Sequence, residues 1–155
     1  MPEITLRLAD EDDLPIIHKI ETSVYNTPWT FNFFRIIYYM SKDLFIVATH
    51  DDTIIGYTVG EIETMGKKSD PKRAGHILNI AVKPEFQGKG VGTMLLDEVE
   101  RLFTEHHVDK VYLEVRESNL VAQKVYKNRG YRYVRTAEKY YGDEDGFIMS
   151  KSLDN

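Results

Sequence analysis

Residues 82–93 read Val-Lys-Pro-Glu-Phe-Gln-Gly-Lys-Gly-Val-Gly-Thr. The apolar run Ile77–Val82 before it has the composition of a buried strand. After it, Val91, Met94, Leu95, Val99 and Leu102 recur at helical spacing, which predicts a helix reaching Glu105. Gly88, Gly90 and Gly92 remove side chains where the backbone turns tightly and where another group can come close. The free amides of a helix N-terminus form a small positive site for anions. Strand, glycine turn and helix start together predict a cradle for a diphosphate. The spacing excludes two nucleotide loops. A Walker A loop needs Gly-Lys followed by Ser or Thr, whereas Lys89 is followed by Gly90. The dinucleotide fingerprint Gly-x-Gly-x-x-Gly fails because Gly92 comes one place early.

What fits is Gln87-x-x-Gly90-x-Gly92 preceded by Val82-x-Pro84. A second block follows, Leu113-Glu114-Val115-Arg116 and then Asn119-x-x-Ala122-x-x-x-Tyr126-x-x-x-Gly130-Tyr131. Both blocks resemble the GNAT acetyltransferase superfamily, in particular the N-terminal protein acetyltransferases of the RimI and NatA catalytic-subunit type. The resemblance implies that acetyl-coenzyme A is bound by Gln87, Gly88, Lys89, Gly90, Val91, Gly92 and Thr93 around its pyrophosphate, with Asn119 and Tyr126 also in contact. Ile80, Ala81 and Val82 would offer backbone groups, since a pantetheine arm can pair with a strand edge as an added strand does. The Val82 amide would then face the thioester oxygen.

Length and composition agree with this. A chain of 155 residues is expected to form one domain, residues 1–155. Hydrophobic and charged fractions of 42% and 29% are those of an ordinary globule. No apolar run approaches a membrane span or a signal-peptide core, so the expected location is the cytoplasm, with no membrane partner. The absence of cysteine excludes disulfides, thiolate metal sites and a cysteine nucleophile, and no metal requirement is expected. A formal net charge of −5 argues against direct nucleic-acid binding.

The periodicities predict the order β-α-α-β-β-β-α-β-α-β-β. That is the superfamily's usual succession, so the resemblance implies an α/β fold class, a GNAT fold with a mixed central sheet and helices on both faces. Ile4, Leu6 and Leu8 mark the first strand. Asp10 and Asp13 are capping residues of a helix to about Ile20, and a second helix covers about Thr30 to Met40. Leu44–Thr49 and Thr53–Glu63 read as a hairpin about Asp51-Asp52. Met65–Arg73, carrying Lys67, Lys68, Lys72 and Arg73, reads as a solvated loop. Gly75–Val82 and Val111–Val115 are strands, and Ser118 or Asn119 caps a short helix. Tyr131–Arg135 and Phe147–Ser150 are the last two strands.

The chemistry rests on few side chains. Expelling a thiolate, whose thiol has a pKa of about 8.5, calls for an acid, and the phenol of Tyr126 is the candidate; the alternative is a core tyrosine at helical spacing. Glu114 in an otherwise apolar strand is the candidate base, or else an edge glutamate paired with Arg116 or Arg132. His76, in Gly-His-x-x-x-Ile-Ala-Val, resembles the NatA pattern and could relay a proton; the alternative is a satisfied structural histidine. Tyr140-Tyr141 in the stretch to Met149 is similar to the tyrosine pair that clamps peptide N-termini. Asn26-Thr27-Pro28-Trp29 resembles the Pro-Trp loop of RimI-type enzymes, with Tyr25 where the NatA-like pattern has glutamate. Tyr25, Trp29, Tyr140 and Tyr141 are therefore the candidate substrate contacts, with rim packing as the alternative for both aromatic loops. The expected substrates are protein or peptide N-termini, with an auxiliary subunit or the ribosome as possible partners. A small amine as acceptor and a non-catalytic coenzyme sensor or subunit stand as alternatives.

Overall fold

A computed structural model of the chain describes residues 3–153. The elements are β1 (Ile4–Leu8), α1 (Leu14–Val24), α2 (Phe31–Met40), β2 (Phe45–His50), β3 (Thr53–Lys67), β4 (Asp70–Val82), α3 (Val91–Glu105), β5 (Lys110–Arg116), α4 (Leu120–Asn128), β6 (Arg132–Ala137) and β7 (Gly146–Ser152). This is the predicted order. The strands form a seven-stranded mixed sheet in the order β1-β2-β3-β4-β5-β7-β6. β4 and β5 run parallel, as a crossover through α3 requires, while β7 lies antiparallel to β5 and β6.

The chain groups into two compact units. One holds the residues up to Gly60 together with Asn79–Leu102; the other holds Glu61–Leu78 and the residues from Phe103 onward. In the first, a capping box precedes α1. The Asp10 carboxylate accepts from the Glu11 amide at 2.8 Å, and the Asp10 amide donates to Asp13 at 2.7 Å. α1 runs four residues past the predicted end at Ile20, because Ile17, Ile20 and Glu21 share one buried face that continues the helical period. Asp51 and Asp52, at φ 50° and 63°, make the primed two-residue turn that matches strand twist. Ile17, Phe34, Phe45, Val47, Ile55, Tyr57, Leu95 and Val99 are fully buried. Each apolar side chain so buried contributes about 1.5–3 kcal/mol relative to exposure.

In the second unit the core is Ile77, Phe103, Val108, Val111, Leu113, Val115, Tyr131 and Met149. Gly75 is required there: a Cβ at this position would lie 2.8 Å from the ring of Phe103. The loop expected over Met65–Arg73 is instead strand, with β3 running to Lys67, β4 starting at Asp70 and only Lys68-Ser69 turning between them. The side chains of this arm are exposed, so its sequence lacks the apolar alternation that marks a half-buried strand. Hydrogen bonding between neighbouring strands, not burial, holds it.

Candidate active site

Two sets of candidate residues lie in the two units. In the first unit the loop between β4 and α3 has the open character of a cradle. Gly88 and Gly90 adopt φ values of 77° and 85°, which side chains rarely tolerate, and a Cβ added to either would meet nothing within 4 Å. The backbone is thus bare and approachable on this side. Gln87 donates from Nε2 to the Val82 carbonyl at 3.0 Å and ties the loop back to its strand. Lys89 Nζ sits 5.5 Å from the centre of the Phe86 ring. Val91 is buried at the start of α3, whereas Gly92 and Thr93 are half-buried. Among the described residues the β4–β5 ladder joins only Ala74–Ile77 to Lys110–Leu113. β4 continues as extended backbone through Ile80, Ala81 and Val82, which suits pairing with an extended ligand arm. The residues fit a pyrophosphate-bearing coenzyme.

The Tyr25–Trp29 segment belongs to the same unit. The Tyr25 hydroxyl donates to the Ile80 carbonyl at 2.5 Å, so it is a strut between the end of α1 and β4. The Trp29 ring packs edge-on against Phe33 and tilted against Phe34, at 4.8 and 5.2 Å between ring centres. Its amide donates to Glu21 Oε2 at 2.9 Å. Glu21 is only 2% exposed, and its other oxygen accepts from the Tyr57 hydroxyl and from Asn79 Nδ2. Burial, followed by the charge and hydrogen bond of Glu21, pushes the Tyr57 phenol far up, so it stays a donor. Sequence reasoning missed Glu21. Its sign was a carboxylate at a position of α1 that the helical period turns toward the core.

In the second unit, strand alternation gathers the chemistry on one face. Val111, Leu113 and Val115 are buried, while Tyr112, Glu114 and Arg116 point the other way. His76 lies opposite Tyr112 in the parallel register, and Glu61 and Glu63 occupy alternate positions of β3. His76 Nε2 is 2.7 Å from Glu114 Oε1; its Nδ1 is 3.1 Å from Glu63 and 3.6 Å from Glu61. The imidazole stacks on Tyr112 at 4.2 Å, and the Tyr112 hydroxyl donates to Glu63 at 2.6 Å. Burial works against a charge on His76, but the hydrogen bond and charge of Glu114, then those of Glu63, outweigh it and raise its pKa. Desolvation, then the hydrogen bond of Tyr112 to Glu63, pushes the Tyr112 phenol well up. Glu114 pairs with His76, while Arg116 binds Asp143 at 3.0 Å and Glu144 at 2.9 Å. Glu61, Glu63 and His76 bring ligand atoms within 4.8 Å of one another, a spacing a divalent ion could span, yet Glu63 and His76 already bind Tyr112 and Glu114.

Asn119 caps α4, its Oδ1 accepting from the Ala122 amide at 3.1 Å, which leaves its amide nitrogen for another partner. Gln123 is buried and donates to the carbonyls of Arg116 and Glu117, binding the β5–α4 turn to the helix. One turn on, Tyr126 is 8% exposed and packs against Tyr131, and desolvation alone raises its phenol to about 12. Tyr140 and Tyr141 meet edge to face at 4.8 Å in the β6–β7 loop. Glu144 clasps this loop to the end of β5 by accepting from Arg116 and from the amide and hydroxyl of Ser118. The Arg116 guanidinium lies 4.4 Å over the Tyr141 ring. Burial raises the Tyr140 and Tyr141 phenols, and the Glu114 charge adds to both shifts.

The profile of the acetyltransferase (GNAT) family matches residues 14–131. The chain belongs to the GNAT acetyltransferase family. Among its relatives, this acetyltransferase is 33% identical over 152 residues to an uncharacterized N-acetyltransferase of Methanocaldococcus jannaschii, covering 97% of this chain and 92% of that one. It is 31% identical over 157 residues to the N-alpha-acetyltransferase of Saccharolobus solfataricus, with 97% and 94% covered. In fold it is similar to the crystal structure of Ard1 from Thermoplasma volcanium, with a TM-score of 0.90 at 24% identity over 98% of this chain and 99% of that one. The expected α/β fold holds. No helix among the described residues is long and apolar enough to cross a membrane.

Proposed function

We propose that this GNAT acetyltransferase moves acetyl from acetyl-coenzyme A to the N-terminal α-amine of proteins or peptides, by direct transfer. The observation that carries the reading is the pairing of Glu114 with His76 at 2.7 Å on a half-buried sheet face, a base suited to an amine. An α-amine has a pKa near 7.7–8.0, so removing its proton is easy beside removing that of a lysine near 10.4. The resemblance to an N-alpha-acetyltransferase over almost the whole chain supports the same acceptor.

The coenzyme supplies an activated thioester. Gln87, Gly88, Lys89, Gly90, Val91, Gly92 and Thr93 hold its pyrophosphate with backbone amides, and Ile80, Ala81 and Val82 orient the arm, with Asn119 assisting. The Val82 amide faces the carbonyl oxygen as negative charge develops there. Glu114, backed by His76, accepts the amine proton. Tyr126 returns a proton to the sulfur. A phenol near 12 is a weak donor in water, but the burial that raises it also raises the basicity of a thiolate beside it. Tyr140 and Tyr141 grip the peptide backbone, and Tyr25 and Trp29 shape the acceptor side. The chain has no cysteine to carry a covalent acetyl. Residues 1–155 act as one catalytic domain in the cytoplasm, alone or with an auxiliary subunit at the ribosome.

The test is incubation with acetyl-coenzyme A and peptides bearing free or blocked N-termini. Acetylation of the free form alone is expected; equal labelling of both through internal lysines would refute the α-amine assignment. The three carboxylates Glu61, Glu63 and Glu114 on one face favour a second reading, a cationic small amine as acceptor. Polyamines form the further arm of the same assay, and turnover on them exceeding that on every peptide would establish it.

A further inference from the structure

Glu63 stands at an alternate position of β3 two residues from Glu61, and both carboxylates face His76, which Glu114 approaches from β5. Three acidic groups about one imidazole repel one another unless the imidazole carries charge. The strand needs no carboxylate at this position, yet Glu63 makes two specific bonds. One oxygen accepts from the Tyr112 hydroxyl at 2.6 Å and the other faces His76 Nδ1 at 3.1 Å. Tyr112 in turn lies flat under the imidazole, tilted by 12°. Tyr112, Glu63 and His76 thus close a ring of contacts that fixes the plane of the imidazole and the direction of both its nitrogens.

We propose that Glu63 is a positioning residue for the proton transfer, holding His76 with its Nδ1–H toward Glu63 and its Nε2–H toward Glu114, so that the imidazole orients the Glu114 carboxylate that takes the proton. This rests on the acetyl-transfer reading above. Both ring nitrogens face acceptor-only carboxylates, an arrangement satisfied when both carry hydrogen. The amine proton moves from nitrogen to the Glu114 carboxylate, which Nε2–H holds in place, and passes to water after the product leaves. The imidazolium is balanced by Glu63 on its other side. The side chain of Glu114 is 10% exposed and that of Glu63 32%, so the carboxylate outside the reacting pair is the better solvated one. The groups facing His76 are Glu61 and Glu63 from β3 and Tyr112 and Glu114 from β5; Tyr140 of the β6–β7 loop faces Glu114 in turn.

Glu63→Gln keeps the size and removes the charge. Because a facing carboxylate favours imidazolium, its loss should move the His76 titration, and with it the alkaline limb of kcat/KM, down by about 0.5–1 pH unit. Tyr112→Phe, which keeps the stack and frees Glu63, should give a smaller shift. The decisive measurement is the 15N titration of the His76 ring in ligand-free protein, with the pH profile on the best acceptor beside it. Two ring N–H groups in wild type at neutral pH and a lowered midpoint in Glu63→Gln support the proposal, whatever the acceptor proves to be. A neutral ring in wild type at neutral pH, or an unchanged midpoint in Glu63→Gln, overturns it even if α-amines are acetylated.

Discussion

The buried carboxylate of Glu21 should be the polar group whose loss most disturbs the acceptor side. Its Oε1 accepts from the Tyr57 hydroxyl and from Asn79 at 2.8 Å, and its Oε2 accepts from the Trp29 amide at 2.9 Å. Glu21→Gln conserves volume but offers one acceptor and one donor where three donors converge. With the amide nitrogen toward Trp29, donor meets donor; with it reversed, the same conflict falls on Asn79. One buried donor left unsatisfied costs about 1–3 kcal/mol, and loss of charge assistance on the remaining bonds adds about 1 kcal/mol. A total of about 3 kcal/mol lowers Tm by roughly 6–12 °C for a domain of this size. Thermal unfolding followed by circular dichroism reads that change. Trp29 is the sole tryptophan, so its emission reports directly whether the Asn26–Trp29 loop has come free. A Tm within about 1 °C of wild type, with unchanged Trp29 emission, would refute the view that Glu21 holds this loop.

Tyr126→Phe should reduce kcat by roughly 10²–10⁴ while leaving coenzyme affinity near wild type, measured by steady-state kinetics and calorimetry; equal turnover would remove the phenol as the acid. Gly90→Ala places a side chain at φ 85° in open space, so the chain folds at a strain cost of about 1–2 kcal/mol. Calorimetry should show coenzyme affinity reduced, and unaltered binding would argue against backbone contact at this turn. Arg116→Ala removes the partner of Glu144 and the cation over Tyr141, and should raise peptide KM several-fold with coenzyme KM unmoved. Loss of both affinities together would contradict a role confined to the peptide loop.

Much of this was legible in local patterns. Gly88 and Gly90 announce left-handed backbone because few other residues adopt it, and Asp10 with Asp13 announces a capped helix start through bonds three residues long. Asn119 was readable as a cap for the same reason. The exposed arm over Met65–Arg73 was not, since its strands are held by backbone bonding and leave no alternation in the side chains. The sequence alone also could not give Glu114 its partner: Arg116 is nearer along the chain, yet it faces the β6–β7 loop.

Residue types at short fixed spacing therefore determined the GNAT family, the coenzyme cradle and the candidate acid and base, because turns, caps and glycine conformations are local. Only the tertiary structure decided which groups meet. The register of β4 on β5 brought His76 to Glu114 and Tyr112 across a separation of more than thirty residues, and the arrangement of β3 placed Glu63 on the far side of the same imidazole. Likewise, the packing of α1 buried Glu21 beneath Trp29. Pairing between strands, unlike a turn, leaves no mark at either residue alone.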